Sequence, residues 1–228
     1  MSDPIIQSYF QSDFIGKLIF LGLGLLSVLS WTLIFYRARL LKQAQAHDLS
    51  FIELVKQNPS RILQLENQMG PAAAIYNTMR KHTIDILSKN RQFGASNSTG
   101  ASLSMNDMEM IYERSQAEQQ SQMYQLEESV HHLSTVVTLA PFLGLLGTVW
   151  GILISLSSLR SASSNEAVFI GLSMALATTV IGLIVAIPAL LGHNHLKAWL
   201  KEFDNRLSEA SSQILALIEI QYRRVDKE

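Results

Sequence analysis

The sequence contains no cysteine, so disulfides, thiolate nucleophiles, thiolate zinc sites and iron–sulfur clusters are excluded before any pattern is read. Charge is scarce as well. Of 228 residues, 16% are Asp, Glu, Lys or Arg against 48% hydrophobic, and 18 basic residues nearly balance 19 acidic ones for a formal net charge of -1. A near-neutral chain lacks the basic surface that neutralises phosphates, which argues against nucleic acid as a partner. The mean hydropathy of +0.17 is high for a protein that folds in water.

The scarcity is concentrated. Leu18–Tyr36, Leu133–Leu159 and Ala167–Gly192 carry no Asp, Glu, Lys or Arg at all, where an even spread would place roughly a dozen. Each run is about as long as, or longer than, the ~20 apolar residues needed to cross a bilayer core. Buried helices of a soluble protein would normally keep a polar stripe toward water, and these do not. The first run reads as a span rather than a cleaved signal, because its basic cluster (Arg37, Arg39, Lys42) follows it, while Lys17 with Asp3 and Asp13 precede it. Arg160 is the one basic residue between the second and third runs, while Lys197, Lys201 and Arg206 follow the third. The positive-inside rule then places residues 1–17 outside, span 18–36, residues 37–132 inside, span 133–159, a turn 160–166 outside, span 167–192, and residues 193–228 inside. The expected fold is an all-α membrane protein whose second and third transmembrane helices continue as long cytoplasmic helices, with a helical cytoplasmic insertion.

Within that insertion, Leu40, Leu41, Ala44, Phe51, Ile52 and Val55 repeat at helical spacing up to Asn58-Pro59, and Ile75, Met79, Ile86 and Leu87 do so after Gly70-Pro71, which predicts short amphipathic helices. The small, polar stretch near 93–105 reads as a flexible loop. Asn106 and Glu109 have capping-box spacing for a long helix running into the second span. After the third span, Leu196, Leu200, Phe203, Leu207, Ala210, Ile214 and Leu217 form a heptad seam suited to holding subunits together.

The second span holds Ala-Pro-Phe-Leu-Gly-Leu-Leu-Gly-Thr-Val-Trp-Gly-Ile, residues 140–152. Gly144, Gly147 and Gly151 recur on one helix face, where their lack of a side chain lets another backbone approach in lipid; Gly182 offers the same on the third span. A phosphate-binding glycine loop would need a preceding strand and a lysine, and neither is present. Pro141 and Pro188 are expected to kink their helices. Thr148 lies beside the glycine face, and Thr178 and Thr179 lie in the third span; a membrane threonine commonly bonds its own helix carbonyls, and hydroxyls on two spans also suit a narrow polar path.

These residues resemble the TolQ/ExbB/MotA proton-channel family, closest to its TolQ and ExbB branches. Residues 140–152 are similar to the Pro-x-x-Gly-Leu-x-Gly-Thr-Val-x-Gly run of the second transmembrane helix, and Gly171, Leu176, Thr179, Ile181-Gly182, Ala186-Ile187-Pro188-Ala189 and Asn194 are similar to the third. The resemblance implies a multi-pass inner-membrane subunit, N-terminus periplasmic and C-terminus cytoplasmic. It would form a homo-oligomer, typically a pentamer, in membrane lipid around a TolR- or ExbD-like single-span partner, and use the proton motive force to energise an envelope process. Thr148 and Thr179 match the family's pore-facing threonines. Met174 stands where TolQ/ExbB-type members commonly carry Glu, so this chain places no titratable side chain inside the third span, whose ends hold Glu166 and His193. A proton relay would then need a carboxylate from the partner. The alternative is a scaffold of the same fold that no longer conducts.

No enzyme active site, cofactor site or metal site is expected. His193 and His195 point about 200° apart on a helix, so with Trp199 they read as an interfacial cap, as do His131 and His132. The carboxylates Glu109, Glu113, Glu118, Glu127 and Glu128 read as a solvated face or a subunit contact rather than an acid/base pair. A small-solute transporter would need helices broken at the midplane, which Pro188 alone hardly supplies.

Overall fold

A computed structural model describes residues 4–65, 69–93, 102–160 and 165–223. Five α-helices account for nearly all of them: α1 (Pro4–Gln11), α2 (Phe14–Gln57), α3 (Pro71–Phe93), α4 (Met105–Arg160) and α5 (Asn165–Tyr222), with a 3-10 segment at Pro59–Gln64. Three of them, α2, α4 and α5, are long and apolar enough to cross a membrane, so the chain is an all-helical membrane protein. At ~1.5 Å per residue, the 56 residues of α4 and the 58 of α5 each exceed ~80 Å, far longer than a ~30 Å hydrocarbon core. Neither helix is broken at its internal proline, Pro141 or Pro188.

Two local expectations change. The helices read as starting after residue 37 are not separate from the first span: α2 is continuous to Gln57 and stops only where Asn58-Pro59 removes a donor and disfavours a helical residue before it. The cap of α4 is two residues upstream of Asn106–Glu109. Ser104 Oγ accepts from the Asp107 backbone N–H, and the Asp107 carboxylate accepts from the Ser104 N–H at 2.9 Å, a reciprocal box that satisfies otherwise orphaned donors. Of the flexible loop expected near 93–105, residues 94–101 lie outside the described residues, as do 161–164 of the expected outer turn.

The chain divides into two compact units. The first, Met1–Ala38 with Glu128–Lys197, contains α1, the first part of α2, the second part of α4 and the first part of α5. Here α5 is central: 39% of its most apolar stretch is buried, against 22% for α2 and for α4. Ile19 and Leu23 of α2 pack on Ala140 of α4 and on Val185 and Ala186 of α5.

The second unit, Arg39–Glu127 with Ala198–Glu228, is built around α3. Tyr76, fully buried, packs on Phe51 with ring centroids 5.3 Å apart, and its hydroxyl donates to the carbonyls of Ile62 and Leu65. Arg80 Nε donates to Leu63 O at 2.6 Å, so α3 holds the 3-10 segment by its carbonyls. In this unit the heptad seam is already occupied: Leu200, Phe203, Leu207, Ala210 and Ile214 are buried within the chain itself, Leu217 is half-buried with the neighbouring Ile218 buried in its place, and Gln119 Nε2 of α4 donates to Asp204 Oδ1 of α5 at 2.8 Å. The seam therefore serves intrachain packing, which corrects its expected use between subunits. Trp199 donates its indole N–H to Gln45 Oε1 at 3.3 Å, which ties α5 to α2.

Candidate functional site: the α4–α5 seam

The two apolar helices that carry the small-residue motifs meet along an antiparallel line of glycine, alanine and hydroxyl side chains. A Cβ added at Gly144 would lie 3.1 Å from Thr178 O and 3.3 Å from Thr179 Cα; at Gly182 it would lie 2.9 Å from Ala140 O. At Gly151 it would meet Gly171 O at 2.5 Å, and at Gly147 it would overlap the Thr178 side chain, whose Cβ is 2.5 Å away. Every glycine of the α4 face is thus in backbone or β-carbon contact with α5, a separation that only residues without side chains permit. Ser155 extends the line, its Oγ 3.0 Å from both Gly151 O and Val168 O.

The hydroxyls of the region divide by position. Thr178 is fully buried in the seam and shares its proton with Met174 O and Ala175 O of its own helix, at 3.0 and 2.9 Å. Thr179 is half-buried at the edge, with Oγ1 3.4 Å from Gly144 O across the interface and 3.4 Å from Ala175 O. Thr148 is also half-buried, one helical turn beyond Gly144 on α4, and its hydroxyl donates to Leu145 O at 2.6 Å. Thr148 and Thr179 therefore lie along one edge of the α4–α5 pair, flanking Gly144. Both meet backbone carbonyls, the bond a threonine makes when no other partner is offered.

Met174 does not share that edge. Five residues separate it from Thr179, a turn of about 140° on the helix. Its side chain is 1% exposed in a cluster with Phe20 and Ala177, packed by Trp150, Ile154 and Ile181. Gly16 of α2 opens room for it: a Cβ there would lie 2.5 Å from Met174 Cε and 2.8 Å from Sδ. Position 174 thus faces the three-helix core of the protomer.

One carboxylate joins the site without a motif to announce it. Asp13 caps α2 by accepting from the Gly16 N–H at 2.9 Å, and its other oxygen accepts from the Trp150 indole N–H of α4 at 2.9 Å. Trp150 also packs on the Met174 cluster. Beside it, Ser8 of α1 lies 2.8 Å, hydroxyl to hydroxyl, from Ser173 of α5. Asp at the start of a helix is a readable cap signal; its bond to a tryptophan 137 positions away is not. His193 is half-buried and His195 exposed at the inner end of the α5 apolar run.

The sequence model of the MotA/TolQ/ExbB proton channel family matches residues 73–209, which includes both small-residue helices. A biopolymer transport protein ExbB of Pseudomonas putida is 28% identical over 227 residues, covering 92% of this chain and 62% of that protein. A Tol-Pal system protein TolQ of Haemophilus influenzae is 42% identical over 73 residues, 31% of this chain and 32% of its own, and an ExbB of Salmonella typhimurium is 36% identical over 88 residues, 38% and 36%. The chain spans less than two thirds of the length of these relatives.

Proposed function

Because the chain belongs to the MotA/TolQ/ExbB proton channel family, whose sequence model matches more than half of it, we propose that it is an inner-membrane motor subunit that works with a TolR- or ExbD-like single-span partner. In this reading, copies of the chain assemble as a ring, typically of five, and the proton motive force moves the partner so that work reaches the cell envelope. The N-terminus is periplasmic and the C-terminus cytoplasmic, as the basic residues after the first and third spans favour. The observation that carries the reading is the placement of Thr148 and Thr179 on one edge of a glycine-packed helix pair, half-buried and bonded to backbone carbonyls. Such hydroxyls can exchange a carbonyl for water and so line a path without carrying charge. The carboxylate that takes up the proton belongs to the partner, and one elementary charge moved through ~100 mV supplies ~2.3 kcal/mol.

Replacing Thr148 and Thr179 by Val keeps their shape and removes both hydroxyls. Partner-dependent proton flux into vesicles holding both proteins is expected to fall at least ~10-fold in the double variant. Unchanged flux would remove these residues from any path. A second reading, a scaffold of the same fold that does not conduct, draws on Met174, whose thioether fills an apolar core where TolQ/ExbB-type relatives commonly carry Glu. Silent flux in the native complex, restored by Met174→Glu, would favour the scaffold.

A further inference from the structure

In the first unit, α1 does not lie flat on the helices beneath it. It forms one wall of an open groove of about 380 Å³ whose lining is almost wholly apolar: Ile5 and Tyr9 from α1, Phe20, Leu21 and Gly24 from α2, and Ile181 from α5. The wall is fastened. Ser8 Oγ lies 2.8 Å from Ser173 Oγ, Ser12 Oγ donates to Tyr9 O at 2.7 Å, and the Tyr9 ring stands edge-on to Phe20 with centroids 5.8 Å apart. The floor is open at Gly24, where an added Cβ would meet no atom within 4 Å, in contrast to the contacts that crowd Gly16 and Gly192. Lys17, exposed, lies one turn toward the N-terminus of α2 from Phe20 and Leu21 and so on the same helix face. Phe10 and Phe14, 71% and 81% exposed, flank the hinge between α1 and α2, as expected of a short helix resting in a membrane interface.

We propose that this groove binds one acyl chain of an anionic phospholipid, with the lipid phosphate paired to Lys17. The occupant follows from three features. The lining offers almost nothing to a polar ligand, so the guest must be hydrocarbon. A volume of about 380 Å³ is within the range of single-ligand sites. The groove runs along the membrane-spanning part of α2, with a cation one turn above it, which matches the order of chain and phosphate in a lipid. The site depends on the chain being a membrane protein and not on whether it conducts protons.

The test uses the full chain in mild detergent, with native mass spectrometry counting phospholipid retained after addition of phosphatidylglycerol or, separately, phosphatidylcholine. The native chain is expected to retain one phosphatidylglycerol per protomer. Gly24→Phe, which adds a ring to the floor from a position where a Cβ meets no atom within 4 Å, lowers that occupancy about tenfold, equivalent to ~1.4 kcal/mol. Gly24→Leu does so to a smaller degree and serves if the larger ring disturbs the fold, which circular dichroism monitors. Lys17→Gln reduces the preference for phosphatidylglycerol over phosphatidylcholine about fivefold while leaving some chain binding in place. Equal lipid retention by the native chain and both Gly24 variants overturns the proposal. So does a Gly24→Phe variant that keeps its lipid but loses a co-purified single-span partner, or keeps it and changes its subunit count; either result would assign the groove to a protein surface.

Discussion

The pH response of Asp48 follows from its position in the second unit. Its side chain is buried at the α2–α3 junction, where Oδ1 accepts from the Ala72 N–H at 3.0 Å and so caps α3 from another helix; Oδ2 is buried with no hydrogen-bond partner among the described residues. Gly70 makes the junction possible. It has φ +118, open to glycine and strained for other residues, and a Cβ there would lie 2.6 Å from Asp48 Oδ1. Burial raises the Asp48 carboxyl from 3.8 to about 6, outweighing the Ala72 hydrogen bond and the neighbouring His47, which both lower it. The folded chain then binds this proton more tightly than the unfolded chain. The stabilisation is fully present below pH 3.8 and is lost as pH rises through about 6. A shift of about two units corresponds to ~3 kcal/mol over the whole titration, of which about 2 kcal/mol falls between pH 4.5 and 7. Asp48→Asn keeps an acceptor for Ala72 and cannot titrate, so its stability relative to the native chain should increase between pH 4.5 and 7 by about 1–2 kcal/mol. Asp48→Ala, which also removes the cap, should lose about 1 kcal/mol relative to Asp48→Asn throughout. The cysteine-free sequence gives a clean assay: a single cysteine at Ala73, fully buried in the first turn of α3, is labelled only when that turn opens, and its labelling rate is compared at each pH with and without Asp48→Asn. A difference that is flat across the interval refutes the assignment of the proton to Asp48.

Two further substitutions probe the first unit. Gly147→Ala places a methyl against the Thr178 side chain, 2.5 Å from its Cβ, and should cost about 1–3 kcal/mol in detergent unfolding followed by circular dichroism; adding Thr178→Gly should recover part of that loss, and additive losses would show that the two residues do not meet. Asp13→Ala uncaps α2 and leaves the Trp150 indole without its acceptor, so stability should fall by about 1–2 kcal/mol with a shift in tryptophan emission that Trp150→Phe abolishes.

Much of this architecture is legible in the sequence because it depends on near neighbours. Charge-free runs disclose helices that meet lipid, and glycines three and four apart disclose a face for close approach, since both signals repeat with the helix itself. The continuity of α2 to Gln57 is less visible, because the change from lipid-facing to water-facing composition at Arg37 looks like a helix boundary when it is only a change of solvent. The α4 cap lies two residues from its expected place because Asn106–Glu109 and Ser104–Asp107 offer the same spacing, and only the backbone path selects one. Of the three threonines, the two at the edge and the one in the seam share composition and depth; what separates Thr178 from Thr148 and Thr179 is the rotation of α5 against Gly147, a tertiary quantity. The Asp13–Trp150 bond and the intrachain use of the heptad seam are long-range in the same sense.

That rotation bears most on Met174→Glu. Position 174 faces Phe20, Ala177 and Trp150, and the relief that accommodates its thioether is the missing side chain of Gly16. Among the described residues no lysine or arginine belongs to this cluster, so a glutamate would enter a dry apolar site without a paired cation, whether it is ionised or protonated. Of the hydroxyls around it, Ser12 has its Cβ beside Gly16, Ser173 is bonded to Ser8, and Thr178 is bonded to backbone carbonyls. The expected cost is about 2–4 kcal/mol, read as a lower midpoint in detergent unfolding. A Gly16→Ala change in the native background should be destabilising too, because it removes the space the methionine uses, and more so than when combined with Met174→Glu if the shorter reach of glutamate leaves that space empty. Flux then separates two consequences of one substitution. If Met174→Glu is unstable and silent, the core packing at 174 is matched to methionine and the carboxylate of a proton path must be sought on the partner. If it is unstable yet conducts where the native complex does not, position 174 acts through the protomer interior, and the edge bearing Thr148 and Thr179 is not sufficient by itself.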